Sequence, residues 1–142
     1  EIPFKPPYEI ISVGREHACG IRSDGIVTCW GSNTYGQSTP PPEYFIQVSS
    51  GEYHTCGLKA NGTVICWGLN DDGQATPPAG VYSAISAGGY HTCGIKSDGL
   101  VTCWGRNDNG QATAPATGKY LNISAGMDHT CGVINNGTVA CW

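Results

Sequence analysis

Charge is scarce in this chain: Asp, Glu, Lys and Arg together make up 13% of its 142 residues, and the net charge is −4. Without a basic excess there is no electrostatic footprint for nucleic acid. No run of 18 apolar residues occurs, so a transmembrane helix is excluded. No segment combines a helical period with capping residues, which removes phosphate-cradling loops that open a helix. No signal peptide is evident, and Glu1 reads as a mature or trimmed start. No nucleophile stands in a distinctive order with a base and an orienting acid, which argues against an enzyme.

What is abundant is glycine, with 21 residues, and cysteine, with eight. The cysteines organise the chain. Cys56 to Trp67 reads CGLKANGTVICW, Cys19 to Trp30 CGIRSDGIVTCW, Cys93 to Trp104 CGIKSDGLVTCW, and Cys131 to Trp142 CGVINNGTVACW. These four copies start 37, 37 and 38 residues apart and hold every cysteine. A fixed period of this size marks a repeat architecture. The units run over about 2–38, 39–75, 76–112 and 113–142, within a single domain spanning 1–142.

Ala60-Asn61-Gly62 fits a three-residue hairpin loop, with Gly62 supplying the positive φ. Lys59 then pairs with Thr63, and the same register sets Cys56 opposite Cys66. The loops at Ser23–Gly25, Ser97–Gly99 and Asn135–Gly137 likewise oppose Cys19 to Cys29, Cys93 to Cys103, and Cys131 to Cys141. Directly opposed residues lie within disulfide range, so four cross-strand disulfides are predicted. Zinc is the competing reading of paired cysteines, but nine intervening residues across a hairpin do not suit it. Alternation puts Cys56, Leu58, Val64 and Cys66 on one face and Thr55, Gly57, Ile65 and Trp67 on the other. Both faces carry apolar groups, as in a blade stacked between neighbours.

Tyr8–Val13, Tyr44–Ser50, Tyr82–Ala87 and Tyr120–Ala125 read as strands that lead into the hairpins, after a Pro-rich start at Glu1 to Pro7. Polar, glycine-punctuated turns follow Trp30, Trp67 and Trp104, with a short fourth strand expected near their Gly-Gln pairs. The class is all-β.

The repeated Ser/Ala-Gly-x-x-His-Thr-Cys-Gly-x-x-x-x-Gly-x-Val-x-Cys-Trp-Gly-x-Asn-x-x-Gly-Gln pattern resembles the repeat of RCC1-type β-propellers. With its cysteines it is similar to the extracellular repeats of plant Crinkly-type receptor kinases and of secreted bacterial proteins. The resemblance implies four tandem propeller blades, whereas such propellers usually close with about seven. Unit four stops at Trp142 without the Gly-Gln turn, so a partial or oligomer-completed propeller is expected. Ile2 to Val13 aligns with Thr39 to Ser50 and is expected to follow Trp142 of another copy, head to tail. The nuclear nucleotide-exchange role of RCC1 is not implied.

Several residues are candidates for sites. His17, His54, His91 and His129 recur once per unit and read as structural hydrogen-bonding groups that reach a neighbouring turn. Trp30, Trp67, Trp104 and Trp142 offer either stacking faces for a sugar ring or packing between blades, and the usual burial of Trp favours packing. Asn70–Gly73 and Asn107–Gly110 resemble calcium loops faintly but lack the distal Glu, and so read as turns. Gln37, Gln74 and Gln111 are expected to bond nearby backbone. No metal or cofactor is called for. Asn61, Asn136 and Asn122 begin Asn-x-Ser/Thr sequons, the first two at hairpin tips and the third in a strand, where modification is less expected.

Disulfides and sequons together point to a secreted or cell-surface protein. The expected function is an extracellular, non-enzymatic module that binds protein or glycan through blade-end loops. The alternative is a structural building block of a surface filament, coat or adhesin, assembled from copies of itself.

Overall fold

The computed structural model describes residues 5–142. The beginning of the expected N-terminal extension, residues 1–4, lies outside the described residues. Four antiparallel sheets of three strands follow one another as blades. Blade 1 holds β1 (Tyr8–Val13), β2 (His17–Arg22) and β3 (Val27–Gly31), and blade 2 holds β4 (Gln47–Ser50), β5 (His54–Leu58) and β6 (Val64–Gly68). Blade 3 holds β7 (Tyr82–Ala87), β8 (His91–Lys96) and β9 (Val101–Gly105), and blade 4 holds β10 (Tyr120–Ala125), β11 (Thr130–Ile134) and β12 (Val139–Cys141).

The hairpins take the register expected from their loops. Lys59 N donates to Thr63 O at 2.9 Å, and Gly62 closes the loop at φ 84°. The residue before each loop glycine fixes the turn: Asn61 Oδ1 accepts from Thr63 N at 3.0 Å, and Asp98 Oδ1 from Leu100 N at 3.0 Å. Cys19–Cys29, Cys56–Cys66, Cys93–Cys103 and Cys131–Cys141 are all disulfides. In the fourth hairpin, Thr130 and Trp142 exchange both backbone hydrogen bonds, at 2.7 and 2.8 Å. The next pair, Cys131 and Cys141, is therefore the narrow kind that exchanges none, and its Cα atoms are 4.0 Å apart.

Two expectations need correction. No fourth strand forms at the Gly-Gln turns among the described residues, because the turns are closed locally. Gln37 Oε1 takes the Tyr35 amide at 2.9 Å, and Gln74 Oε1 the Asp72 amide at 2.9 Å. β1 pairs with β2 of its own blade, as the equivalent β4 pairs with β5. The second inner strand is also shorter than expected. It begins at Gln47, and Tyr44 makes only an isolated bridge to Ile26.

Among the described residues there is no single central core. Each joint between blades has its own apolar cluster, built from unlike faces. The disulfide face of blade 2 (Cys56, Leu58, Val64) packs on Tyr82, Ile85 and Trp104 of blade 3. Cys19, Ile21 and Val27 pack on Phe45, Val48, Ile65 and Trp67 in the same way, and Cys93, Ile95 and Val101 on Tyr120, Ile123 and Trp142. Each blade thus has a disulfide face directed at the next blade and an aromatic face directed at the one before.

Polar groups lock each joint as well. His54 Nε2 meets Thr92 Oγ1 at 2.8 Å, and Thr92 Oγ1 donates to Gln74 O at 3.0 Å. Trp104 Nε1 donates to the same carbonyl at 2.9 Å. Blade 2 repeats the pattern with His17, Thr55, Trp67 and Gln37 O. The expectation for the histidines therefore changes in one respect. The partner of His17, His54 and His91 is a threonine hydroxyl on the next blade, not a turn.

Candidate binding surface at the loop end

The two ends of the blades differ. The hairpin tips, with Asn61 and Asn136, lie at one end. At the other lie the short turns from each inner strand to the hairpin and the longer turns that follow the tryptophans. These two sets of turns are tied together: Leu69 N donates to Tyr53 O at 2.9 Å, and Arg106 N to Tyr90 O at 2.9 Å.

The short turns begin with a glycine that must stay small. A Cβ on Gly51 or Gly88 would collide with the imidazole of His54 or His91, and with the glycine carbonyl of the next blade. This close approach brings the following residues, Arg15, Glu52, Gly89 and Met127, side by side. Together with the ends of the inner strands they line an open cleft of about 530 Å³. Glu52 is buried there, its side chain 7% exposed, and its carboxylate accepts a hydrogen bond from Arg15 Nη1. That carboxylate also raises the Arg15 pKa, keeping the guanidinium charged.

Beside the cleft runs a row of aromatic rings. Tyr35 and Tyr53 are 5.3 Å apart between centroids, and Tyr53 and Tyr90 6.0 Å. Arg15 lies 5.6 Å from the Tyr53 ring centre, and Arg106 4.2 Å from that of Tyr90. Arg106 is also paired with Asp72 at 3.1 Å. Burial and the nearby Glu52 raise the Tyr90 pKa, so the phenol stays protonated. Tyr35 remains 48% exposed.

Charge is unevenly divided between the ends. Glu16, Glu52, Asp71, Asp72, Asp108 and Asp128 sit at the loop end with only Arg15 and Arg106, whereas Arg22, Lys59, Lys96 and Lys119 sit at the hairpin end with Asp24, Glu43 and Asp98. A chain of low overall charge thus has an acidic loop end.

The residues singled out from sequence fall in different places. Trp67 and Trp104 are in joints, their indole N–H groups bonded to Gln37 O and Gln74 O. Trp142 packs on Tyr120 at 5.9 Å, while Trp30, on the first aromatic face, is 44% exposed. The Asn70 side chain is committed to its own turn, accepting from Ala75 N at 2.8 Å and donating to Thr76 Oγ1 at 2.9 Å. Asn107 does the same. Asn61, Asn136 and Asn122 are all exposed. The tyrosine row was not foreseen. Its only sequence signal is the Tyr before His54 and His91, which the first and fourth units replace with Glu16 and Asp128.

The Regulator of chromosome condensation (RCC1) repeat matches residues 10–37, 45–74 and 82–111, the first three blades. The chain belongs to the RCC1 repeat family. Among solved structures, the CRINKLY WD40 ectodomain of the Arabidopsis thaliana receptor kinase ACR4 is 30% identical, with a TM-score of 0.82 over 98% of this chain and 51% of that one. The ectodomain of the Physcomitrella patens receptor kinase CR4 is 32% identical, with a TM-score of 0.83 over 95% of this chain and 40% of that one. Prp20p from Saccharomyces cerevisiae, 19% identical with a TM-score of 0.85 over 99% of this chain and 46% of its own, shares the fold. This chain therefore spans about half or less of the length of each of these structures, from 40% to 51%. No curated protein sequence matches.

Proposed function

We propose that this chain is an extracellular, non-enzymatic interaction module that receives a basic segment of a protein partner at its loop end. The observation that carries the reading is the row Tyr35, Tyr53 and Tyr90 beside the cleft of an acidic loop end, opposite two sequons. Tyrosine supplies large contact area at little entropic cost and is enriched where proteins meet. Six carboxylates against two arginines favour a cationic partner and speed its approach. Four disulfides suit an oxidising compartment, and the receptor-kinase ectodomains that this chain resembles support the same placement. Glycans at the hairpin tips would leave the loop end free.

The test is binding of an immobilised panel of Lys/Arg-bearing peptides alongside a glycan array. The reading expects peptide binding that weakens with salt and falls at least tenfold in the Tyr53→Ala, Tyr90→Ala double variant. Binding to glycans alone, unaffected by that double variant, would replace a protein partner with a sugar.

A further inference from the structure

At the loop end, the joint between blades 2 and 3 carries its own arginine. Arg106 lies over Tyr90, with Cζ 4.2 Å from the ring centre. Its Nη2 is 3.1 Å from a carboxylate oxygen of Asp72 on blade 2, and its Nε is 3.8 Å from Asp108 in its own turn. The guanidinium thus has a ring on its face and carboxylates along its edge. The joint between blades 1 and 2 is built on the same backbone. Leu69 N donates to Tyr53 O as Arg106 N does to Tyr90 O, both at 2.9 Å, and Gln37 holds the Tyr35 amide as Gln74 holds that of Asp72. Tyr53 therefore stands for Tyr90, Asp71 for Asp108, Tyr35 for Asp72 and Leu69 for Arg106. The ring and one carboxylate are kept, a second ring replaces the other carboxylate, and the guanidinium is gone.

We propose that this place, bounded by Tyr35, Tyr53, Leu69 and Asp71, receives an arginine side chain of the protein partner, so that the loop end selects arginine over lysine. The inference rests on the loop-end reading and deepens it. Tyr35 is 48% exposed and 5.3 Å from Tyr53, with the two rings 66° apart, so a planar cation finds a face to stack on. Asp71 is exposed and in no ion pair among the described residues, so its carboxylate can accept two parallel N–H groups. Half-buried Leu69 offers apolar surface to the methylene stem of the incoming side chain. A lysine ammonium is a compact, strongly hydrated charge that neither stacks on a ring nor pairs in this two-pronged way.

Arg15 does not fill the place. It comes within 5.6 Å of the Tyr53 ring centre, but it lines the cleft, where Glu52 holds it. Nor does the site depend on what lies beyond the two outer faces of the row of blades. Its four residues belong to turns of blades 1 and 2, which pack on each other within this chain, so further units stacked on blade 1 or blade 4 would leave its composition unchanged. The next joint shows the filled form, with the arginine supplied by the chain itself. The earlier joint leaves the same position to a partner.

Fluorescence anisotropy on the 142-residue chain tests the proposal, with matched peptides that are identical except that one carries arginine wherever the other carries lysine. The arginine peptide should bind roughly 3- to 10-fold more tightly, the effect of one stacked and paired guanidinium near the surface. Tyr35→Ala and Asp71→Asn, both at exposed turn positions, should each erase the preference. Leu69→Arg, which gives blade 2 the arginine that blade 3 has, should occupy the place from within and erase it too. Disulfide mapping checks that each variant is folded, and the two exposed-position variants carry the test if Leu69→Arg is not. Equal binding of the two peptides by the wild type, still weakened by salt, overturns this inference and leaves the loop-end reading intact. Binding of neither peptide overturns both. An arginine preference that survives Tyr35→Ala, Asp71→Asn or a folded Leu69→Arg places the recognition elsewhere and overturns the proposal as well.

Discussion

His54 Nε2 lies 2.8 Å from Thr92 Oγ1, a hydrogen bond that joins consecutive blades across 38 positions of sequence. The single proton of the threonine hydroxyl goes to Gln74 O, so the imidazole must be the donor. This fixes the tautomer with its proton on Nε2. Nδ1 is then an unprotonated acceptor, buried and unpaired, and it is left so at His17, His54 and His91 alike. A second proton on any of these rings would place a charge where nothing receives it.

Acid should therefore loosen the joints. Burial is the main cause that pushes His54 down from 6.5 to about 3 and His91 to about 4, and it lowers His17 too. Above about pH 6.5 these rings are neutral in folded and unfolded chains, and the joints are at full strength. Below that the unfolded chain binds protons that the folded chain refuses, so stability falls as pH drops from 6.5 towards 4. The melting temperature should decline over this window, while the His54 ring signals in NMR stay unchanged down to about pH 4.5. A His54 titration centred near 6.5 would contradict the buried neutral ring.

Thr92→Val should leave His54 without an acceptor at the centre of the middle joint. The expected cost is about 1–3 kcal/mol by urea unfolding. Thr117→Val, in an exposed link, should change stability by no more than about 0.5 kcal/mol. Equal effects of the two substitutions would mean that the relay contributes nothing.

The glycine after the first cysteine of each hairpin serves as a seat for a ring. A Cβ on Gly94 would sit 2.5 Å from Tyr82 Cδ1, and one on Gly132 2.6 Å from Tyr120 Cδ1. Gly94→Ala should thus displace Tyr82 from the joint and cost about 1–3 kcal/mol through overpacking. Tyr82→Leu in the same chain should recover part of that loss. Chemical denaturation of the single and double variants measures both effects.

The four disulfides should not reduce together. Cys19, Cys56 and Cys93 are wholly buried in joints, whereas Cys141 is exposed on the outer face of blade 4. Mild thiol treatment followed by alkylation and peptide mapping should find Cys131–Cys141 opened first, since attack on the bridge needs access. Removing a buried bridge such as Cys56–Cys66 should cost about 3 kcal/mol, from the short loop it closes.

Expression in a eukaryotic secretory pathway should give glycans on Asn61 and Asn136, at exposed tips. Asn122 has a different constraint. It occupies the position of Gln47, whose Oε1 takes the Ile85 amide of the next blade at 2.8 Å. Asn122 also lies within β10 rather than at a tip, so it should be modified less than Asn61 and Asn136. Glycopeptide mass spectrometry should find Asn61 and Asn136 occupied more fully than Asn122.

Much of this molecule was legible within one repeat and little of it between repeats. The Cys56–Cys66 pairing followed from a local turn, because a three-residue loop fixes every opposed pair behind it. The His54–Thr92 contact did not, because a repeated residue shows that a position matters without showing which neighbour it meets. The tyrosine row was harder still. Tyr35 comes from a long turn and Tyr53 and Tyr90 from short ones, and only the stacking of blades brings these unlike positions together.

The sameness of the three joints bears on how such a chain can change over time. Blade 1 meets blade 2 with the same kinds of residue that blade 2 uses to meet blade 3. A genetic crossover between equivalent points of two units would excise or duplicate about one period, and each new junction would still set a disulfide face against an aromatic one. Loss or gain of a unit is thus a mild event for this architecture, while an indel of a few residues inside a hairpin would break its cysteine register. Length should drift in whole units among descendants of this sequence, with Cys-x9-Cys held constant.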